Sequence, residues 1–156
     1  KDAYLSGGVY LGGTGAANKL DDYEEGSWTP TAKGGSTVIT VNASEGYYTK
    51  IGQQVTVHGF MDTGTLNGAT SNFKIDGLPF AVKGQNTRTS IEASGTVSYW
   101  AGFATAVNSV SCMAVDGNYI ALVGLLGSTA IAATDLSAVH VGQSADFRFS
   151  ITYTAV

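Results

Sequence analysis

Few side chains in this sequence can carry covalent or proton-transfer chemistry. Two histidines, His58 and His140, are the available bases, and both fall at alternating positions of strand-like runs, where a histidine most often faces a sheet. No Gly-x-Ser-x-Gly elbow, His-Glu-x-x-His helix or Cys-x-x-Cys pair occurs. Asp62, Asp76, Asp116 and Asp135 are the candidates for a pair of glycosidase carboxylates. All four stand beside turn glycines or at loop starts, where aspartate is favoured because its side chain bonds the backbone. The residues therefore point to binding rather than catalysis, and no catalytic group is expected. Tyr99, Trp100, Phe103 and Tyr119 are suited to stacking on sugar rings, since an aromatic face offers broad apolar area with a polar handle. Core packing or subunit contact is the competing use of the same rings.

Two further patterns invite a ligand and fail on spacing. The glycine run Gly12–Gly15 is followed by Lys19-Leu20 and an acidic stretch, not by the Gly-Lys-Ser/Thr and helix of a phosphate loop. Asp21, Asp22, Glu24 and Glu25 hold four of the twelve acids, but in no calcium-loop register, so solvated acids are expected and no metal or cofactor is assigned.

The elements that must position these residues are strands. Tyr47–Ile51 is aromatic and β-branched, Gly52 supplies a turn, and Val55, Val57, Gly59 and Met61 then alternate with Thr56, His58 and Phe60. Phe147, Phe149, Ile151 and Tyr153 alternate with Arg148, Ser150 and Thr152 in a last strand. Val107–Val115 and Tyr119–Leu126 form a hairpin around Asp116-Gly117-Asn118. Shorter strands are expected at Ser36–Val41, Phe73–Ile75, Ile91–Trp100 (broken at Gly95) and Thr129–Ala133, with a turn at Asn42–Gly46, loops at Asp62–Thr70 and Lys83–Arg88, and mixed loop and strand over Asp135–Gln143. No helix is expected. The fold class is all-β, an antiparallel jelly-roll-like sandwich, with a barrel as the alternative. Residues 27–156 form this head, and residues 1–26, too poor in apolar residues to make a core, form an extended connector or small hairpin that needs a neighbour.

Composition agrees. The chain has 156 residues, enough for one domain, with 21 glycines and only 13% charged residues, about half the usual share. A net charge of −4 with no Lys/Arg cluster argues against nucleic acid. The single cysteine, Cys112, lies in a strand-like run and is expected to be a small buried hydrophobe. No apolar run is long enough for a membrane-spanning helix. The start, Lys1-Asp2-Ala3-Tyr4, lacks the apolar stretch of a signal peptide and reads as the middle of a longer chain.

The run from Asn18 through Leu20-Asp21-Asp22-Tyr23-Glu24-Glu25-Gly26-Ser27-Trp28-Thr29 to Pro30 resembles a segment that recurs in tail-fibre and related virion proteins of tailed bacteriophages, between a fibre shaft and a C-terminal β head. Tyr48–Gly59, Ile75–Phe80 and Ile151–Tyr153 are similar to the head itself. The likeness covers residues 18–80 and the last strand; residues 84–145 match nothing. It implies a homotrimeric tail-fibre tip, joined to an upstream shaft, that attaches the virion to a glycan or other receptor on the host cell surface. Receptor contacts are expected from the unmatched part and its neighbours: Tyr99, Trp100 and Phe103, with Asp62 and Asn67 from one loop and Asp116 and Asn118 from another. A structural virion module, such as a neck fibre or capsid decoration, and a sugar-active enzyme or free carbohydrate-binding module are the alternatives.

Overall fold

The computed structural model describes residues 7–20, 22–84, 93–127 and 132–156. In chain order the strands are β1 (Val9–Tyr10), β2 (Lys19–Leu20), β3 (Tyr23–Trp28), β4 (Thr31–Gly34), β5 (Thr37–Ile39), β6 (Val41–Ile51) and β7 (Gln54–Thr63). There follow β8 (Phe73–Asp76), β9 (Ser94–Ala101), β10 (Val107–Val115), β11 (Tyr119–Leu126), β12 (Thr134–Asp135), one short helix α1 (Ala138–Val141), and β13 (Asp146–Thr154). A single turn of 3₁₀ helix at Ala16–Asn18 precedes β2. Among the described residues, no helix is long and apolar enough to cross a membrane.

Period-two patterning produces the long strands. In β7, Val55, Val57 and Met61 are buried and Gln54 and His58 exposed; in β13, Phe147, Phe149, Ile151 and Tyr153 are buried and Arg148 and Thr152 exposed. Gly52 turns β6 into β7 with φ of +57°, a conformation glycine adopts without a Cβ clash. The hairpin of β10 and β11 closes from Val115 to Tyr119 around Gly117 (φ 111°) and Asn118 (φ 61°).

Among the described residues, all strands except β1 and β2 join one antiparallel sheet of eleven strands, in the order β3-β6-β7-β13-β9-β10-β11-β8-β4-β5, with β12 added to β11. The chain passes directly from β3 to β4 and from β5 to β6, so it ties one edge of this order to the other, and the sheet curls into two facing walls. Rings meet across the interior: Phe73 of β8 and Phe147 of β13 contact edge to face with centroids 5.9 Å apart, although three strands separate them in the sheet. Ile39, Val55, Val57, Met61, Ile75 and Leu122 fill the space around them. Cys112 is fully buried, as expected, and burial pushes its thiol up to about 12. Burial likewise pushes the Tyr153 phenol up to about 12, while its hydroxyl donates to the Phe80 carbonyl at 3.0 Å. The structure is therefore the expected all-β antiparallel fold.

Several local expectations are corrected. Asn42–Gly46 is not a turn but the first half of β6, bent by a bulge between Val41 and Ala43. Gly46 is there for space: a Cβ on it would lie 2.2 Å from Nε1 of the buried Trp28. β9 runs through Gly95, and its irregularity is a bulge between the pairs Arg148–Tyr99 and Phe149–Val97. His140 lies in α1, not in a strand, and its Nδ1 accepts from the Ser137 backbone N–H at 3.1 Å in a capping box. β3 begins at Tyr23 and pairs with β6 throughout, so the sheet crosses the boundary expected at residue 26. Glu24 and Glu25 give this edge strand charges that discourage pairing with other chains. The tip of the Lys83–Arg88 loop, the start of the strand expected at Ile91 and most of Thr129–Ala133 lie outside the described residues.

Candidate functional site

Register decides which side chains meet. Pairing of β6, β7, β13 and β9 aligns their outward residues in rows, because directly opposed residues point to the same face. The first row is Ala43, Asp62, Asp146 and Ala101; the second is Glu45, Phe60, Arg148 and Tyr99. The third is Tyr47, His58, Ser150 and Thr96, continued by Ser27 of β3. Glu25, Thr49, Thr56 and Thr152 follow, and Tyr23, Ile51, Gln54 and Thr154 end the face.

Three tyrosines on this face stay open to solvent: Tyr23 is 58%, Tyr47 56% and Tyr99 45% exposed. Each is held by a charged neighbour. The Tyr47 hydroxyl donates to Glu45 Oε1 at 2.5 Å, and the Tyr23 hydroxyl donates to Glu25. These hydrogen bonds, helped by the adjacent negative charge, raise both phenols above their ordinary value. The Arg148 guanidinium lies 4.6 Å from the Tyr99 ring centroid while its Nη1 donates to Asp146 Oδ1 at 3.3 Å. Asp62 Oδ1 accepts from Asn42 Nδ2 at 3.5 Å. Among the described residues, the face thus offers aromatic surfaces beside Glu25, Glu45, Asp62 and Asp146, four acceptor groups set against the guanidinium of Arg148. It can stack on a flat apolar surface and accept hydrogen bonds from hydroxyls around it. Among the described residues, no group of His, Cys, Asp and Glu is arranged to hold a metal ion.

No family model and no curated protein matches the sequence. A crystal structure of the Dettilon tailspike protein does match in fold, with a TM-score of 0.64 over 85% of this chain at 14% identity. The fold is shared with part of a tailspike. The chain spans 24% of that tailspike chain, and at this identity the likeness speaks for the fold alone.

The residues expected to form one contact surface are divided by the fold. Tyr99 and Asp62 lie on the face just described, in adjacent rows. Trp100 pairs with Phe147 and so points to the core side, yet it remains 36% exposed at the rim. Phe103 packs on the core, its ring 6.0 Å from Phe147. Asn67, at φ 55°, donates through Nδ2 to the Val38 carbonyl at 3.0 Å and to Thr40 Oγ1 at 3.1 Å, which binds its loop to the end of β5. Asp116 and Asn118 sit at the opposite end of the sheet, because Met113 pairs with Ser94 at the start of β9 whereas Asp146 pairs with Ala101 at its end. The length of β9 puts about 23 Å between the two ends. Asn118 is moreover used internally, its Oδ1 accepting from the Val82 N–H at 2.8 Å. Tyr119, on the other wall, lies under Lys74, whose Nζ is 4.5 Å from the ring centroid. Tyr47, Phe60, His58 and Arg148 are what loop-centred reasoning misses. Their signal was the outward half of the alternation that identifies β7 and β13.

Proposed function

We propose that this chain is a receptor-binding head of a phage tail fibre or tailspike, and that it attaches the virion to the host cell by holding a surface glycan on the outer face of β6, β7, β13 and β9. The observation that carries the reading is the row Glu45–Phe60–Arg148–Tyr99, where the exposed Tyr99 ring is braced by a guanidinium that also donates to Asp146 of the adjoining row. The tailspike-like fold and the resemblance of residues 18–30 to the segment between shaft and head support the virion setting. Binding alone is proposed, without a catalytic step, cofactor or metal. Assembly as a homotrimer belongs to the same proposal. Its support is the hairpin of β1 and β2, which forms a separate two-stranded sheet and exposes Val9, Tyr10, Leu11 and Leu20; such a hairpin is marginal alone and gains stability by packing on copies of itself.

A structural virion module is favoured by a different feature, the nearly uncharged outer face of β10 and β11, which carries half-buried Met113, Val123 and Leu125 and suits contact with another protein. Fluorescently labelled protein, applied to a panel of bacterial strains, separates the two readings. The receptor-binding head labels susceptible strains, and Tyr99→Ala lowers labelling by at least about tenfold, since loss of an anchoring ring costs about 2 kcal/mol and trimeric avidity enlarges the effect. A folded trimer that labels no strain overturns the proposal in favour of the structural module.

A further inference from the structure

We infer that the ligand of this face is an extended stretch of an uncharged polysaccharide, lying obliquely across the strands, rather than a single terminal sugar or an anionic polymer. The inference rests on the receptor-binding reading above and specifies its substrate class. Four rings mark the course: Tyr99 on β9, Phe60 on β7, Tyr47 on β6 and Tyr23 on β3. Across the sheet, β9 to β3 is four strand spacings, about 19 Å; along it, Tyr99 to Tyr23 is three rows, about 20 Å. The lane is therefore on the order of 28 Å long, far more than one sugar ring can cover.

The rings are also set before any ligand arrives. Tyr47 and Tyr23 are tied to carboxylates on their own strands, and Tyr99 is capped by Arg148. Side chains already restrained lose less freedom on binding, so each adds to affinity along the whole lane. Charge selects the polymer. Glu25, Glu45, Asp62 and Asp146 border the rings, and Arg148 is engaged by Asp146 and Tyr99. In a chain of net charge −4, an anionic polysaccharide laid here meets like charge, whereas hydroxyl groups find acceptors at each carboxylate.

The test uses surface polysaccharide purified from strains that the labelled protein binds, separated by anion exchange into uncharged and anionic fractions and graded by size after mild hydrolysis. Binding is measured by calorimetry on the intact protein. The expected result is binding in the uncharged fraction, with affinity rising about tenfold or more from the shortest to the longest fragments and nearly unaffected by salt. Tyr23→Ala, at the far end of the lane, lowers affinity for long fragments and leaves short ones unchanged, with the circular dichroism spectrum preserved. Binding confined to the anionic fraction, equal affinity at all lengths, no binding to either fraction, or a Tyr23→Ala variant equal to the parent on long fragments overturns the inference. The first two leave the receptor-binding reading intact, and only a protein that labels no strain removes both.

Discussion

On β7 and β13 the outward positions carry His58, Phe60, Asp62, Asp146 and Arg148, while on β10 and β11 they carry Ser109, Ser111, Met113, Ala121 and Val123. Inward, the two walls are built alike: Val57, Met61, Phe147 and Phe149 on one side face Val110, Cys112, Ile120 and Leu122 on the other. One alternating pattern thus does two jobs. The inward half specifies a core that both walls share, and the outward half is free to differ, because outward substitutions on a sheet leave packing density unchanged. The proposed receptor face is on the wall whose outward half departs from small and apolar.

Variants that enter the core break this comparison most strongly, since they weaken both walls at once. Phe147 touches Phe73, Phe103 and Phe149, so Phe147→Ala is expected to lower stability by about 3–5 kcal/mol, read from urea unfolding. Retained stability would mean that the walls do not share a core. Trp100 stands between core and surface. It pairs with Phe147 but keeps 36% of its surface exposed, so Trp100→Ala should cost about 2 kcal/mol and shift cell labelling little. A variant that melts like the parent and loses labelling would instead move Trp100 onto the receptor side.

Reading the sequence recovers the strands far better than it recovers their neighbours. Val55–Met61 and Phe147–Tyr153 declare their two faces by alternation, and Asp116-Gly117-Asn118 declares a hairpin, because these are local signals. Asn42–Gly46 looks like turn chemistry, yet Gly46 serves the Trp28 ring, a residue remote in sequence. His140 lies in a four-residue helix too short to show a period. The candidate site was harder for a related reason. Tyr99 and Asp62 share a face only because β13 inserts between β7 and β9, and Asp116 is excluded from it by the same sheet order. Loop composition carries none of that information.

The smallest expected effect lies on the wall opposite the candidate site. Asp76 of β8 faces outward beside Lys33 of β4, with Lys33 Nζ 2.5 Å from Asp76 Oδ2 and the Gly77 N–H donating to Oδ1 at 2.9 Å. Burial alone would raise the carboxyl, but the hydrogen bonds from Lys33 and Gly77 and the nearby charges of Lys33 and Lys74 hold it below its ordinary value of 3.8. The folded state therefore favours the ionised form. Its contribution is complete above that ordinary value and is lost as pH falls through the lower folded value. The pair is solvent-facing and screened, so Asp76→Asn should cost under about 1 kcal/mol near neutrality. Once the pH has fallen below the lowered folded value, the variant and the parent should converge, because the parent then loses the same charge. Unfolding curves at the two acidities provide the check. A difference that persists unchanged into acid would show that Asp76 acts through its shape and neutral hydrogen bonds. Cell labelling should not respond to the substitution at either acidity, because Asp76 lies on the wall that the proposed receptor face does not include.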